Sequence, residues 1–250
     1  MELVTAWRQA QLAELVWDTP DGPDATVVVP LTDEGIACVA LPFDQLARAE
    51  ALAAAGGAVA SVSDPALGGG AEPLRVRVRV TREDDLSAER FEDSKLLLQE
   101  LAKHPPSRRR LDSILLRREH WWFLPRILLH LEPIDAPEPL EPTGALLAHR
   151  SAEGLELTTV RVTQRSSERL ILEGAARSGP AVLLEHGAEA PDLERRWTFR
   201  RYGRLEGDSL LVTREESWGR SDRAPTLMQR IRDERALERG CREGLRIAGV

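Results

Sequence analysis

Residues Leu74 to Thr81 read Leu-Arg-Val-Arg-Val-Arg-Val-Thr. A helix would scatter these valines around its circumference, whereas a strand sends successive side chains to opposite faces. The stretch is therefore predicted to be a half-buried strand, with Val76, Val78 and Val80 on a core and Arg75, Arg77 and Arg79 facing outward. A strand of this kind needs neighbours, and the flanking sequence offers several. Ala25–Leu31 and Ile36–Leu41 surround the polar turn Thr32–Gly35 as a hairpin would. Ala58–Ser63 reads as a further strand. His120–Leu131 reads as a long one, bent or at an edge because Pro125 has no N–H for a ladder.

The same reading continues after residue 150. Leu155–Val162, Arg169–Glu173 and Pro180–Glu185 are strand-like, and Arg196–Leu205 with Ser209–Thr213 forms a hairpin across Glu206-Gly207-Asp208. Between the two β-rich regions, Glu132–Thr143 holds prolines at 133, 137, 139 and 142 among acidic residues, the signature of a stiff, extended linker. The expected organisation is a unit over 1–131, a linker over 132–143 and a second unit over 144–250. Helices fill the gaps. Residues 2–17 carry apolar side chains near helical spacing, and Asp44 opens an Ala-rich run to Ala55 that Gly56-Gly57 closes. A helix from about Ala88 to Lys103 stops at His104-Pro105-Pro106, and a short segment follows near Arg108–Leu116. Thr226 with Gln229 makes a capping box for a last helix to about Leu245. The fold class is mainly β with flanking helices, α+β, in two tandem antiparallel barrel-like units.

Composition narrows the partners. A net charge of −7 sets the chain apart from general nucleic-acid binders, which present a basic surface to phosphates. No run approaches the roughly 18 apolar residues of a membrane span, and polar residues interrupt Met1–Trp17 too often for a secretory leader, so a cytoplasmic protein is expected. Cys38 and Cys241 stand too far apart in sequence to make a framework or a metal motif. Lys95 and Lys103 are the two lysines among 34 basic residues, a bias that, with the abundant Ala, Gly and Pro, fits a GC-rich bacterial coding sequence.

The halves echo each other. Ala54-Ala55-Gly56-Gly57-Ala58-Val59 enters a strand, then an acidic, Pro-containing loop, then the arginine-alternating strand. Ala175-Ala176-Arg177-Ser178-Gly179-Pro180-Ala181-Val182 enters a strand, then Ala190-Pro191-Asp192, then Arg196–Arg204. In the first half, the strand from Gly57-Ala58-Val59-Ala60-Ser61-Val62, the strand from Leu74 to Asp85, the helix with its Pro-Pro stop and the closing His120-Trp121-Trp122-Phe123-Leu124-Pro125-Arg126 follow one another in a distinctive order. In the second, Arg200-Arg201-Tyr202-Gly203-Arg204-Leu205-Glu206 stands where a central strand would. This pattern resembles the FMN-binding split-barrel superfamily, the pyridoxamine 5'-phosphate oxidase-like proteins, over roughly 20–135 and more loosely over 150–215.

The resemblance implies a flavoprotein oxidoreductase of a small molecule, holding FMN or a deazaflavin (haem in some relatives) at a two-fold interface. Two tandem barrels could supply that interface as an internal pseudo-dimer, and single barrels as a homodimer. Relatives grip the phosphate with a basic residue after the second strand. Leu41-Pro42-Phe43-Asp44-Gln45 has none, so the resemblance moves the grip to Arg48 in the first half. In the second it falls to Arg177, Ser178, Arg195 and Arg196. Trp121 and Trp122, expected on opposite faces of one strand, are the candidates to stack on the ring. The sequence holds no GxSxG, HExxH, GxxxxGK[ST] or GxGxxG, and the five histidines lack metal-ligand spacing. A degenerate barrel that binds a ligand or a partner without redox chemistry is the competing expectation.

Overall fold

The computed structural model describes residues 2–112, 121–142, 144–175, 177–189, 193, 196–219 and 226–249. In the first half, helix α1 (Leu3–Gln9) precedes strands β1 (Ala13–Thr19), β2 (Gly22–Val28), β3 (Leu31–Asp33) and β4 (Ile36–Pro42). Helix α2 (Leu46–Ala55), β5 (Gly57–Val62) and β6 (Leu74–Asp85) follow, then α3 (Glu89–Asp93), α4 (Leu96–Lys103), α5 (Pro105–Asp112) and β7 (Arg126–Pro133). After the two-residue β8 (Glu138–Pro139), the second half runs β9 (Ala145–Ser151), β10 (Gly154–Arg165), β11 (Arg169–Glu173), β12 (Arg177–Ala188), β13 (Arg196–Gly207), β14 (Ser209–Gly219) and α6 (Leu227–Ala248). The fold is mainly β with flanking helices, in two antiparallel units.

The second unit is a closed barrel in the order β10-β11-β14-β13-β12-β9. The first is a sheet in the order β2-β1-β5-β6-β7-β4-β3. The two orders correspond strand for strand when β2 and β3 together stand for β10. In the second barrel the 12 residues of β10 pair with β9 at one end and β11 at the other. In the first, β2 pairs with β1, β3 pairs with β4, and only Val29 and Pro30 separate them. Proline lacks the ladder donor, so the strand breaks there. Lys103 from α4 covers the break, donating to the carbonyls of Pro30 at 2.7 Å and Trp7 at 2.8 Å.

The β6 register is the one its alternation predicts. Val76, Val78 and Val80 are buried in the first core with Leu129, Leu131 and Trp17, and Arg77 and Arg79 are exposed. The proline-rich linker is more than a strap. Its β8 adds to the edge of β6 at Leu74 and Arg75, and its acids take the arginine row in turn: Arg75 with Glu138 at 2.7 Å, Arg77 with Asp135, and Arg79 with Glu132 at 3.6 Å.

Several expectations need correction. The helix expected to open at Asp44 starts at Leu46, behind a 3-10 turn over Phe43–Gln45, and the segment expected near Arg108–Leu116 starts at Pro105, with 113–116 outside the described residues. The helix expected over residues 2–17 ends at Gln9, and Ala13–Thr19 is a strand. Ala25–Leu31 is divided between β2 and β3, so the expected hairpin with Ile36–Leu41 survives as the three pairs of β3 with β4. The helix expected over Ala88–Lys103 is two helices, broken at Ser94. The strand expected from His120 starts at Arg126, because Trp121–Phe123 form a 3-10 turn; His120 itself lies outside the described residues.

The halves meet through a shared apolar layer of Val16, Ala25 and Val59 against Leu146, Ala148, Val182 and Leu184. Polar bonds border it. Arg150 forks onto Asp18 at 2.7–2.9 Å, and the Tyr202 hydroxyl donates to Asp24 at 2.7 Å. Helix α6 then leaves the second barrel and packs on the first, with Leu245 in its core. Gly240 and Gly244, one turn apart, let it do so: a Cβ at Gly244 would collide with the Phe43 carbonyl, and one at Gly240 would press on Asp44. Thr226 caps this helix by accepting from the Gln229 N–H at 3.3 Å, although the Gln229 side chain turns to Asp233 instead of closing the box.

Candidate functional site

Between the halves lies a cleft of about 1620 Å³. Its walls come from β2 and β4 of the first half, the 3-10 turn at Trp121, the ends of β12, β13 and β14, and α6. The cleft exists because β13 and β14 run on past their barrel beside the first half, while α6 crosses back over it.

Arg48, one turn into α2, lines this cleft. Its guanidinium donates to Gln45 at 2.8 Å, and among the described residues no carboxylate pairs with it. Burial lowers its proton affinity, and the like charge of Arg200 lowers it further. Arg200, from β13, donates to the Ala25 carbonyl across the interface at 3.1 Å and meets Glu216 at 2.7 Å. Asp24 stands 3.9 Å from Arg200, and Asp24 and Glu216 also draw on Arg48, so the two guanidinium groups share a half-buried space of mixed charge.

Aromatic faces accompany the charge. Trp121 is 51% exposed, with the Arg242 guanidinium 5.3 Å from its ring centre. Trp218, on β14, is 53% exposed beneath Arg196, whose guanidinium stands 4.3 Å away. Arg196 also donates to His104 Nε2, and His104 Nδ1 meets Ser107, which donates to the buried Glu100 at 2.6 Å. That chain of bonds orients Arg196 from the first half.

Of the residues singled out from sequence, Arg48, Trp121, Trp122 and Arg196 share the cleft. Trp122 enters its wall as packing: its ring is 2% exposed and buried with Phe123 and Cys241 under α6. The two tryptophans therefore do not alternate across a strand. Arg177 and Ser178 stand at the far end of β12, nine residues or about 30 Å along the strand from His186. There Arg177 pairs with Glu156. Arg195 lies outside the described residues. Sequence reasoning missed Arg200, Trp218 and His186. No local motif marks them, since the packing of one half on the other brings them together.

Fold and cleft define a two-unit β protein with an aromatic-lined cleft between its units, in whose walls six arginines face six carboxylates. No family model and no curated protein matches the chain. Solved structures do resemble it. An FMN-binding, pyridoxamine 5'-phosphate oxidase-related protein of Nostoc punctiforme aligns with 87% of this chain and 88% of its own, at 13% identity and TM-score 0.33. The heme storage protein of Vibrio cholerae aligns over 56% of this chain and 95% of its own, at 13% identity and TM-score 0.35. A heme binding protein of Mycobacterium smegmatis aligns over 96% and 97%, at 14% identity and TM-score 0.29. Among the described residues no helix is long and apolar enough to cross a membrane, and no three metal-ligating side chains cluster.

Proposed function

We propose that the chain binds a planar, phosphate-bearing cofactor of the flavin or deazaflavin type in the cleft between its halves, as an oxidoreductase acting on a small molecule. The observation that carries this reading is the half-buried Arg48 guanidinium, bonded to Gln45 and paired with no carboxylate among the described residues, which lines the cleft together with Arg200. The chemistry of the two residues fits a phosphate group, which accepts several charge-assisted hydrogen bonds at once. Arg48 would hold the phosphate, and Trp121 and Trp218 offer exposed faces for a ring. A flavin bound there would supply hydride transfer; the chain supplies charge, orientation and shelter from water. The corresponding strand orders support descent of the two halves by duplication, with the cleft as the interface of an internal pseudo-dimer.

A second reading, a ligand-binding or partner-binding barrel without redox activity, is favoured by one observation. Helix α6 lies on Phe43 and Asp44, the place where the resemblance would put the phosphate grip. Titration of FMN and of a deazaflavin, followed by fluorescence, separates the two. The first reading expects saturable binding of one of them, weakened in Arg48→Ala by about 1.5–3 kcal/mol, the worth of a lost charge-assisted bond. Absence of binding at millimolar ligand overturns it in favour of the second.

A further inference from the structure

Glu14 and His186 meet at the centre of the interface. Glu14 sits on β1 of the first half and His186 on β12 of the second, and their side chains are 1% and 6% exposed. His186 Nε2 donates to Glu14 Oε1 at 2.7 Å. Ser61 and Ser63 donate to the two oxygens of the same carboxylate at 2.8 and 2.7 Å. One side of the imidazole is therefore fully committed. The other nitrogen, Nδ1, is buried and has no hydrogen-bond partner among the described residues. The ring also forms part of the wall of the large cleft and of a smaller cavity of about 410 Å³ beside it.

A buried polar nitrogen without a partner is rare in folded proteins and costly to leave so. Nothing local explains it here, since the ring is oriented by three bonds that converge on one carboxylate. We infer that His186 is a ligand-binding residue of the cleft, and that its Nδ1 hydrogen-bonds a polar group of the bound molecule. Burial by itself would push this imidazole toward neutrality; the Glu14 carboxylate outweighs it, with Asp64 adding to the effect, and holds the ring's proton affinity above the ordinary value. With both nitrogens protonated, Nδ1 donates to the ligand; with the proton on Nε2 alone, it accepts. The carboxylate that anchors the ring belongs to the other half, so the contact is complete only when both halves are packed.

The inference rests on the reading of the cleft as a site for a phosphate-bearing cofactor, and its test separates the two. FMN and riboflavin are titrated into the full chain and into His186→Gln and Arg48→Ala variants, with imidazole ¹⁵N shifts of the unmutated protein recorded at each step. The expected result is binding weakened about tenfold in His186→Gln, together with a shift of the His186 Nδ1 resonance on saturation of the unmutated protein. Loss for FMN alone would place Nδ1 against the phosphate, and loss for both ligands against the ring; either supports the assignment. FMN binding that depends on Arg48, with His186→Gln unaffected and Nδ1 unmoved, overturns this inference and leaves the cofactor reading standing. No binding to the unmutated chain overturns both. The NMR arm keeps the test decisive should His186→Gln fail to fold.

Discussion

The two barrels share one connection order and fill it in different ways. The second barrel is closed, and its interior is small and aliphatic: Leu147, Val160, Leu172, Leu183 and Leu205, with no aromatic ring among the described residues. The first breaks its ring at Val29–Pro30 and gathers helices around it. Trp7, Trp17 and Phe43 join its core, and even the last helix of the chain packs there. The helices are what turn one of two similar barrels into a wall of the cleft: α2 carries Arg48, and α4 and α5 carry Glu100 and Ser107. The second barrel contributes by overextension, since the ends of β12, β13 and β14 reach past their own core. The contrast teaches that strand order sets the frame, while insertions on one copy and long strands on the other make the site.

The largest effect expected to test this comparison comes from Glu14→Ala, which strips the carboxylate from a buried pair spanning both halves. Breaking such a pair costs about 3–5 kcal/mol, and calorimetry should show the loss in a single shared unfolding transition. Two separate transitions in the unmutated protein would mean that the halves are independent. The pair also carries a pH signature. His186 is held above its ordinary proton affinity in the folded state. Its contribution is fully present below the unfolded value near 6.5 and is lost as pH rises through the folded one. Denaturant midpoints measured upward from pH 6 should decline in the unmutated protein and decline less in Glu14→Gln.

A smaller effect separates the faces of β6. Val78→Ala should cost roughly 1–3 kcal/mol through lost burial and a residual cavity. Arg77→Ala, exposed and paired with Asp135, should cost under about 1 kcal/mol. Equal losses would show that the arginine face is buried in solution. Gly244→Ala forces a methyl against the Phe43 carbonyl and should cost about 1–3 kcal/mol, with easier proteolysis of α6 and an unchanged β signal in circular dichroism. The smallest effect is that of salt. The Arg75, Arg77 and Arg79 pairs with the linker are surface bonds, so 1 M NaCl should shift the unfolding midpoint by less than Val78→Ala does.

How much could be read from the sequence differs between these regions for physical reasons. The β6 alternation was legible because one face is dry and the other wet. β1 was read as helix because it is buried on both faces: Leu15 and Trp17 enter the first core, while Glu14 and Val16 face the second half. A strand covered on both sides loses its period of two. The docking of α6 was hidden because it depends on two glycines that lack any side-chain signature. Arg48 and Arg196 could be picked out as candidate cations, but their company could not. Arg200, His186 and Trp218 come from a different unit, and only the packing of the halves supplies them.

The linker that lies along β6 has a consequence for assembly. Two free barrels meeting by diffusion would form their interface only above a concentration set by its affinity. Here the tether holds one beside the other at an effective concentration in the millimolar range, so a weak interface suffices at any dilution. Because β7 runs to Pro133 and β8 is laid along β6, the free length of that tether is shorter than the 12 residues expected from the sequence. Exchange of barrels between two chains would require peeling this segment away first. The paired β8 thus favours each second barrel staying with the first barrel of its own chain.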